Sequence, residues 1–148
     1  MWARRRRHIT LAHVAVALVA SLVGCAANDP QYRDEGQRFV DAAVQAIATT
    51  WNADELVKRA DPQFLAALPE PKAREMVATL RSELGPLKQA TPQVATVGYN
   101  AGAWFGKGAQ YVVKLQCEKG AATLVVVARK TKEEWRILGF HVNIDGQK

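Results

Sequence analysis

The chain has 148 residues, 49% of them hydrophobic, and its 20 basic and 14 acidic side chains give a net charge of +6; it has two cysteines and three histidines. That is enough chain for one domain with a real core. It is too poor in cysteine and histidine for a Cys- or His-rich metal site, which needs three or four convergent ligands.

The first element is not part of a fold. Arg4 to Arg7 form an unbroken basic run, followed by the mostly apolar residues 9–23 and then Gly24 and Cys25. A basic n-region, a short h-region and small residues at a cleavage point describe a secretory signal peptide. A spanning helix needs roughly 20 apolar residues, and this run is shorter and interrupted by His13. Leu22-Val23-Gly24-Cys25 resembles a bacterial lipobox, with Cys25 as the lipidation site. The residue type suits the chemistry, since a thiol is the side chain nucleophilic enough to take a diacylglyceryl group as a thioether. The resemblance implies a mature chain starting at an acylated Cys25. Two or more acyl chains hold a protein stably on a bilayer where one does not. It also implies a membrane-anchored protein of the cell envelope. Ala26, where aspartate would retain the protein elsewhere, implies the outer membrane facing the periplasm in a Gram-negative cell.

Loss of residues 1–24 removes four arginines and leaves 16 basic against 14 acidic side chains, a charge of +2. The basic balance of the whole chain is therefore no argument for nucleic-acid binding. With Cys25 acylated, Cys117 is the one remaining thiol, so no intrachain disulfide forms.

The division that follows is a signal peptide (1–24), a lipidated N-terminus with a short tether (25–33) and one domain (34–148). Asp29-Pro30 is a helix-start signal. Val40, Val44, Ile47 and Trp51 recur at helical spacing and predict an amphipathic helix over 31–51. Asn52 and Glu55 have capping-box spacing for a short helix to about residue 60. Asp61-Pro62 repeats the start signal for residues 62–68, and Pro71 opens a helix ended by Gly85-Pro86, with Met76, Val77, Leu80 and Leu84 on one face.

Beyond Thr91 the period becomes alternating. Strands are predicted over 94–100, 110–118, 121–129 and 135–144, with a glycine-rich loop at 101–108. A two-residue turn at Lys119-Gly120 would set Leu115 opposite Leu124, Val113 opposite Val126, Cys117 opposite Ala122, Lys114 opposite Val125 and Gln116 opposite Thr123. In the last strand, Leu138, Phe140, Val142 and Ile144 would face the helices, and Trp135, Ile137, His141 and Asn143 would face away. Helices followed by an antiparallel meander define an α+β fold.

Residues 31–145, and in particular Leu80–Lys88 (LRSELGPLK) and Glu133–Ile144 (EEWRILGFHVNI), resemble the nuclear-transport-factor-like, or cystatin-like, cone. The resemblance implies N-terminal helices filling the concave side of a curved four-stranded antiparallel sheet. It also implies a candidate cavity lined by Tyr111, Val113, Leu115, Leu124 and Phe140, and dimerisation through the outer sheet face. Function does not transfer with this architecture.

The residues offer little for catalysis. Enzymes of this superfamily, such as ketosteroid isomerases, use aspartate, tyrosine or histidine inside the cone, and the inward positions here include no carboxylate to act as a base. Asp41 lies about 100° around its helix from the apolar Val40. Ser82 lies in a helix, outside any nucleophile-elbow pattern. Cys117 is placed inward and His141 outward, so they do not form a dyad. No catalytic residue, metal site or cofactor is therefore assigned.

Val125, Val127, Trp135 and Ile137 on the outer sheet face, with Trp104 and Phe105 in the glycine-rich loop, form the candidate partner surface, because a contiguous exposed apolar patch marks interaction sites. The leading expectation is a non-enzymatic lipoprotein that binds a small apolar ligand or an envelope protein and homodimerises through the sheet. The alternatives are a ketosteroid-isomerase-like enzyme and a structural subunit of an envelope assembly.

Overall fold

The computed structural model describes residues 29–99 and 107–146. Residues 1–28, including the lipobox and the signal peptide, and Trp104 and Phe105 lie outside the described residues. Four helices precede a four-stranded antiparallel sheet in the order β1-β2-β3-β4, an α+β fold with the helices packed against the sheet.

Helix α1 spans Pro30–Ala48, so residues 30–33 belong to the domain and not to the tether. Its start is local chemistry: the Asp29 carboxylate accepts the Tyr32 N–H at 3.0 Å, and proline occupies the first turn, where no amide is needed. Val40, Val44 and Ile47 are fully buried on the predicted stripe. Trp51 follows the helix in a left-handed conformation (φ 51°). The Asn52 N–H closes the end on Ile47 O at 2.7 Å, and the buried indole donates to Gly85 O at 2.6 Å.

Helix α2 (Ala53–Arg59) is capped by Asn52, which accepts the Asp54 N–H at 3.0 Å. Glu55 pairs with Arg59 and does not complete the capping box predicted for it. Asp61 caps α3 (Pro62–Ala67) through the Gln63 N–H at 2.9 Å. Helix α4 (Glu70–Leu84) ends at Gly85 with φ 68°, the left-handed position that glycine adopts without strain.

The sheet departs from expectation in three places. Strand β1 (Leu87–Tyr99) begins seven residues earlier than predicted. Its first half, LKQATPQ, is polar and contains Pro92, a composition that an edge strand tolerates. Register shifts between Leu87 and Gln89 and between Pro92 and Val94 leave Lys88 and Gln93 as extra residues.

Strands β2 (Lys107–Cys117) and β3 (Ala121–Thr131) pair two residues away from the predicted register. Leu115 faces Ala122, Val113 faces Leu124, Tyr111 faces Val126, Lys114 faces Thr123 and Gln116 faces Ala121. Cys117, expected opposite Ala122, instead donates its N–H to Gly120 O at 2.8 Å. The turn is therefore Glu118-Lys119. Its position is set by α4, because the Glu118 and Lys119 amides donate to Pro86 O and Leu84 O, both at 2.9 Å. Lys119 Nζ adds a bond to Ser82 O at 2.8 Å. The hairpin tip thus caps carbonyls that a helix end leaves open and places a cation at the negative pole of the helix. A slip of two preserves the side-chain alternation, so both faces are as predicted.

Strand β4 (Glu134–Ile144) carries the third departure. Val127 pairs with Gly139 but Ala128 pairs with Ile137, which makes Leu138 the extra residue of a bulge. One extra residue reverses the alternation. Ile137 is consequently fully buried toward the helices, and Trp135 packs on Tyr32 (ring centroids 4.6 Å) and Phe39 (6.2 Å). Both had been expected on the outer face.

Candidate functional site

The helices occupy one side of the sheet, and the outer side of the sheet carries the most coherent apolar feature. Three register pairs, Val94 with Val112, Val112 with Val125 and Val125 with His141, make one row across all four strands. Val127 lies in the next row, between Gln110 and Gly139. Val94 is 59% exposed and the other three valines are half-buried. No described helix covers this face.

Polar side chains frame the row. Lys114 Nζ reaches Thr123 Oγ1 at 2.6 Å and Asp145 at 3.4 Å, and His141 meets Asn143 at 3.0 Å. An apolar stripe with a polar margin is the pattern of a docking face. Of the predicted surface residues, Val125 and Val127 are therefore brought together here, whereas Trp135 and Ile137 belong to the core side. Val94 and Val112 were missed by sequence reasoning. Their alternation was visible, but the bulge at Gln93 that aligns Val94 with Val112 leaves no local mark.

The predicted cavity lining is brought together, and it is tightly packed. Tyr111, Leu115 and Leu124 are fully buried, Val113 is 1% exposed and Phe140 is 7% exposed, in one cluster with the apolar stripe of α1. The Tyr111 hydroxyl donates to Arg33 O at 3.1 Å, and burial pushes its ionisation far above that of an ordinary tyrosine. Asp41 is exposed and accepts the Gln37 amide at 2.8 Å, outside this core.

Burial likewise pushes the Cys117 thiol up. A thiolate is the reactive form of cysteine, so Cys117 is set to behave as a small core residue. In the folded protein Cys117 should react with an aromatic disulfide reagent at least tenfold more slowly than after unfolding in urea. Equal rates would mean that the core opens at this strand.

Asp61 and Arg129 form a buried two-point ion pair, Nε to Oδ2 and Nη2 to Oδ1 at 3.0 Å each, and the Asp61 N–H donates to Ile137 O at 2.8 Å. Its carboxylate also caps α3, so the arrangement acts as a strut. A shallow groove of about 340 Å3, lined by Leu68, Lys72, Glu75, Met76, Thr79 and Leu80, runs along α4 and is bridged by the Lys72–Glu75 pair at 2.8 Å. Among the described residues, no three His, Cys, Asp or Glu side chains are grouped to hold a metal ion. No described helix is long and apolar enough to cross a membrane. No protein-family model matches the chain, and no curated protein matches it.

Proposed function

We propose that this protein is a lipid-anchored, non-enzymatic domain of the cell envelope that holds another envelope protein against the open face of its sheet. The anchor part is supported by Leu22–Cys25 at the end of a signal-peptide pattern. Ala26 after the cysteine supports the outer membrane, facing the periplasm, as the site of anchoring in a Gram-negative cell. The observation that carries the docking part is the Val94–Val112–Val125 row, with Val127 beside it, on the side of the sheet opposite the helices. A protein partner is favoured over a small apolar ligand inside the cone because Tyr111, Val113, Leu115 and Leu124 fill that space. A second copy of the chain is the simplest such partner, since a sheet face can meet itself across a two-fold axis.

A photo-crosslinking residue at Val125, in protein retained on its own membranes, should give one discrete adduct, and the same residue at the exposed Thr79 of α4 should give none. Val94→Asp, at the 59% exposed end of the row, should sharply weaken the Val125 adduct while leaving the urea midpoint nearly unchanged, as surface substitutions do. An adduct of twice the chain mass identifies the homodimer. Labelling at Val125 no stronger than at Thr79 rejects the docking face. Separately, Cys25→Ala should abolish incorporation of labelled fatty acid and membrane retention, and a variant that remains labelled rejects the anchor.

A further inference from the structure

We infer that the domain stands upright on the bilayer, resting on one end of its sheet, with the open valine face presented sideways. The inference deepens the lipid-anchor reading and rests on it. From Cys25 to Asp29 there are four residue steps of at most about 3.6 Å, so the tether spans roughly 14 Å or less. Asp29, and the end of the domain that holds it, therefore stay within that distance of the lipid.

Asp29 is held firmly. One carboxylate oxygen caps the Tyr32 N–H at 3.0 Å, and the other pairs with Lys107 Nζ at the first residue of β2. The hydrogen bond from Lys107 holds the Asp29 carboxyl below the usual carboxylate range. The Lys107 ammonium also sits 4.3 Å over the Tyr32 ring. Tyr32 ties in the next strand: its hydroxyl donates to Lys107 O at 3.0 Å and accepts the Lys130 N–H of β3 at 3.1 Å. Lys130 Nζ returns to Glu35 of α1 at 3.0 Å, and Trp135 of β4 packs on Tyr32. The start of α1 is thus fastened to the same end of β2, β3 and β4, the end that carries the Lys132-Glu133 turn.

The opposite end of the sheet carries the Glu118-Lys119 turn. Strand β3 runs Ala121–Thr131, and at about 3.3 Å per residue the two ends are roughly 33 Å apart. That exceeds twice the tether span. Charges on the anchored rim cancel in sum, with Asp29, Asp34, Glu35 and Glu133 against Arg33, Lys107, Lys130 and Lys132, and most of them are paired. The orientation accordingly depends on the tether and its fastening, and not on attraction to anionic lipid. With the strands pointing away from the membrane, Val112, five residues along β2 from Lys107, stands about 17 Å above the rim. That height suits a partner standing on the same membrane.

The test uses the full acylated chain in lipid nanodiscs, with a fluorophore on Lys132→Cys at the rim or on Glu118→Cys at the far turn, and a lipid-borne quencher. The Lys132 label should be quenched several-fold more strongly than the Glu118 label, and the difference should persist in 1 M salt, where screening acts within about 3 Å. Gln89→Cys, at the far end of β1, provides a second distal position and should behave as Glu118 does. Equal quenching at both ends, or stronger quenching at Glu118, overturns the orientation while leaving the anchor intact. Retention of Cys25→Ala on the membrane overturns the anchor itself, and with it this inference.

Discussion

Replacing Asp61 by alanine should lower the stability of the domain by about 3–5 kcal/mol, the cost of removing one member of a buried ion pair. Asp61 is 2% exposed, and its carboxylate is matched to the Arg129 guanidinium in a two-point geometry. Alanine would remove the carboxylate that the Arg129 guanidinium, 19% exposed, is matched to, and would also remove the cap of α3. Asp61→Asn keeps a capping oxygen and loses the charge, so it should cost less, about 1.5–3 kcal/mol. In the Asp61→Ala/Arg129→Met double variant the cost should fall well below the sum of the two single changes, because each single change already loses the same two-point contact. Urea unfolding followed by tryptophan fluorescence measures all of these. A loss below about 1 kcal/mol for Asp61→Ala would show that water replaces the carboxylate and that the strut carries little.

Gly36→Ala should destabilise the protein by about 1–3 kcal/mol, although alanine is favoured over glycine in a helix by about 1 kcal/mol. A methyl group on Gly36 would lie 1.9 Å from the Tyr111 hydroxyl, 2.8 Å from Tyr111 Cζ and 2.7 Å from Trp135. Tyr111 is fully buried and tied to Arg33 O, so it has no room to swing aside. Helix α1 would have to lift from the sheet. Tyr111→Phe alone should cost about 1 kcal/mol for the lost hydrogen bond. In that background the penalty of Gly36→Ala should shrink, because the closest obstructing atom is gone. A stabilising Gly36→Ala would mean that α1 does not lie this close to β2.

These two sites differ in how far the sequence exposes them. Asp61 could be recognised as a helix cap from Asp-Pro alone, but its ion pair with Arg129 joins residues 68 positions apart and has no local signature. Gly36 lies inside a helical pattern, where a lone glycine signals little. Its need for a missing Cβ arises only once Tyr111 and Trp135 are placed against it. The open sheet face is half legible: Val125 and Val127 follow from alternation, whereas alternation alone also sends Trp135 and Ile137 there, because the bulge at Leu138 leaves no local mark.

Local interactions account for what was readable from the sequence by itself. Capping at Asp29, Asn52 and Asp61, the glycine stop at residue 85 and the apolar stripe of α1 involve residues within a few positions of one another, so the helices and their order followed directly. So did the α+β arrangement and the two faces of β2 and β3, since a side-chain period of two is unchanged by a slip of two. Tertiary structure decided the rest. The hairpin turn moved to Glu118-Lys119 because the end of α4 offers carbonyls to its amides. The bulge in β4 adjoins the point where Asp61 and Ala60 pair with Ile137. Each departure satisfies backbone groups contributed by distant parts of the chain, and buried backbone groups must find such partners wherever the fold brings them.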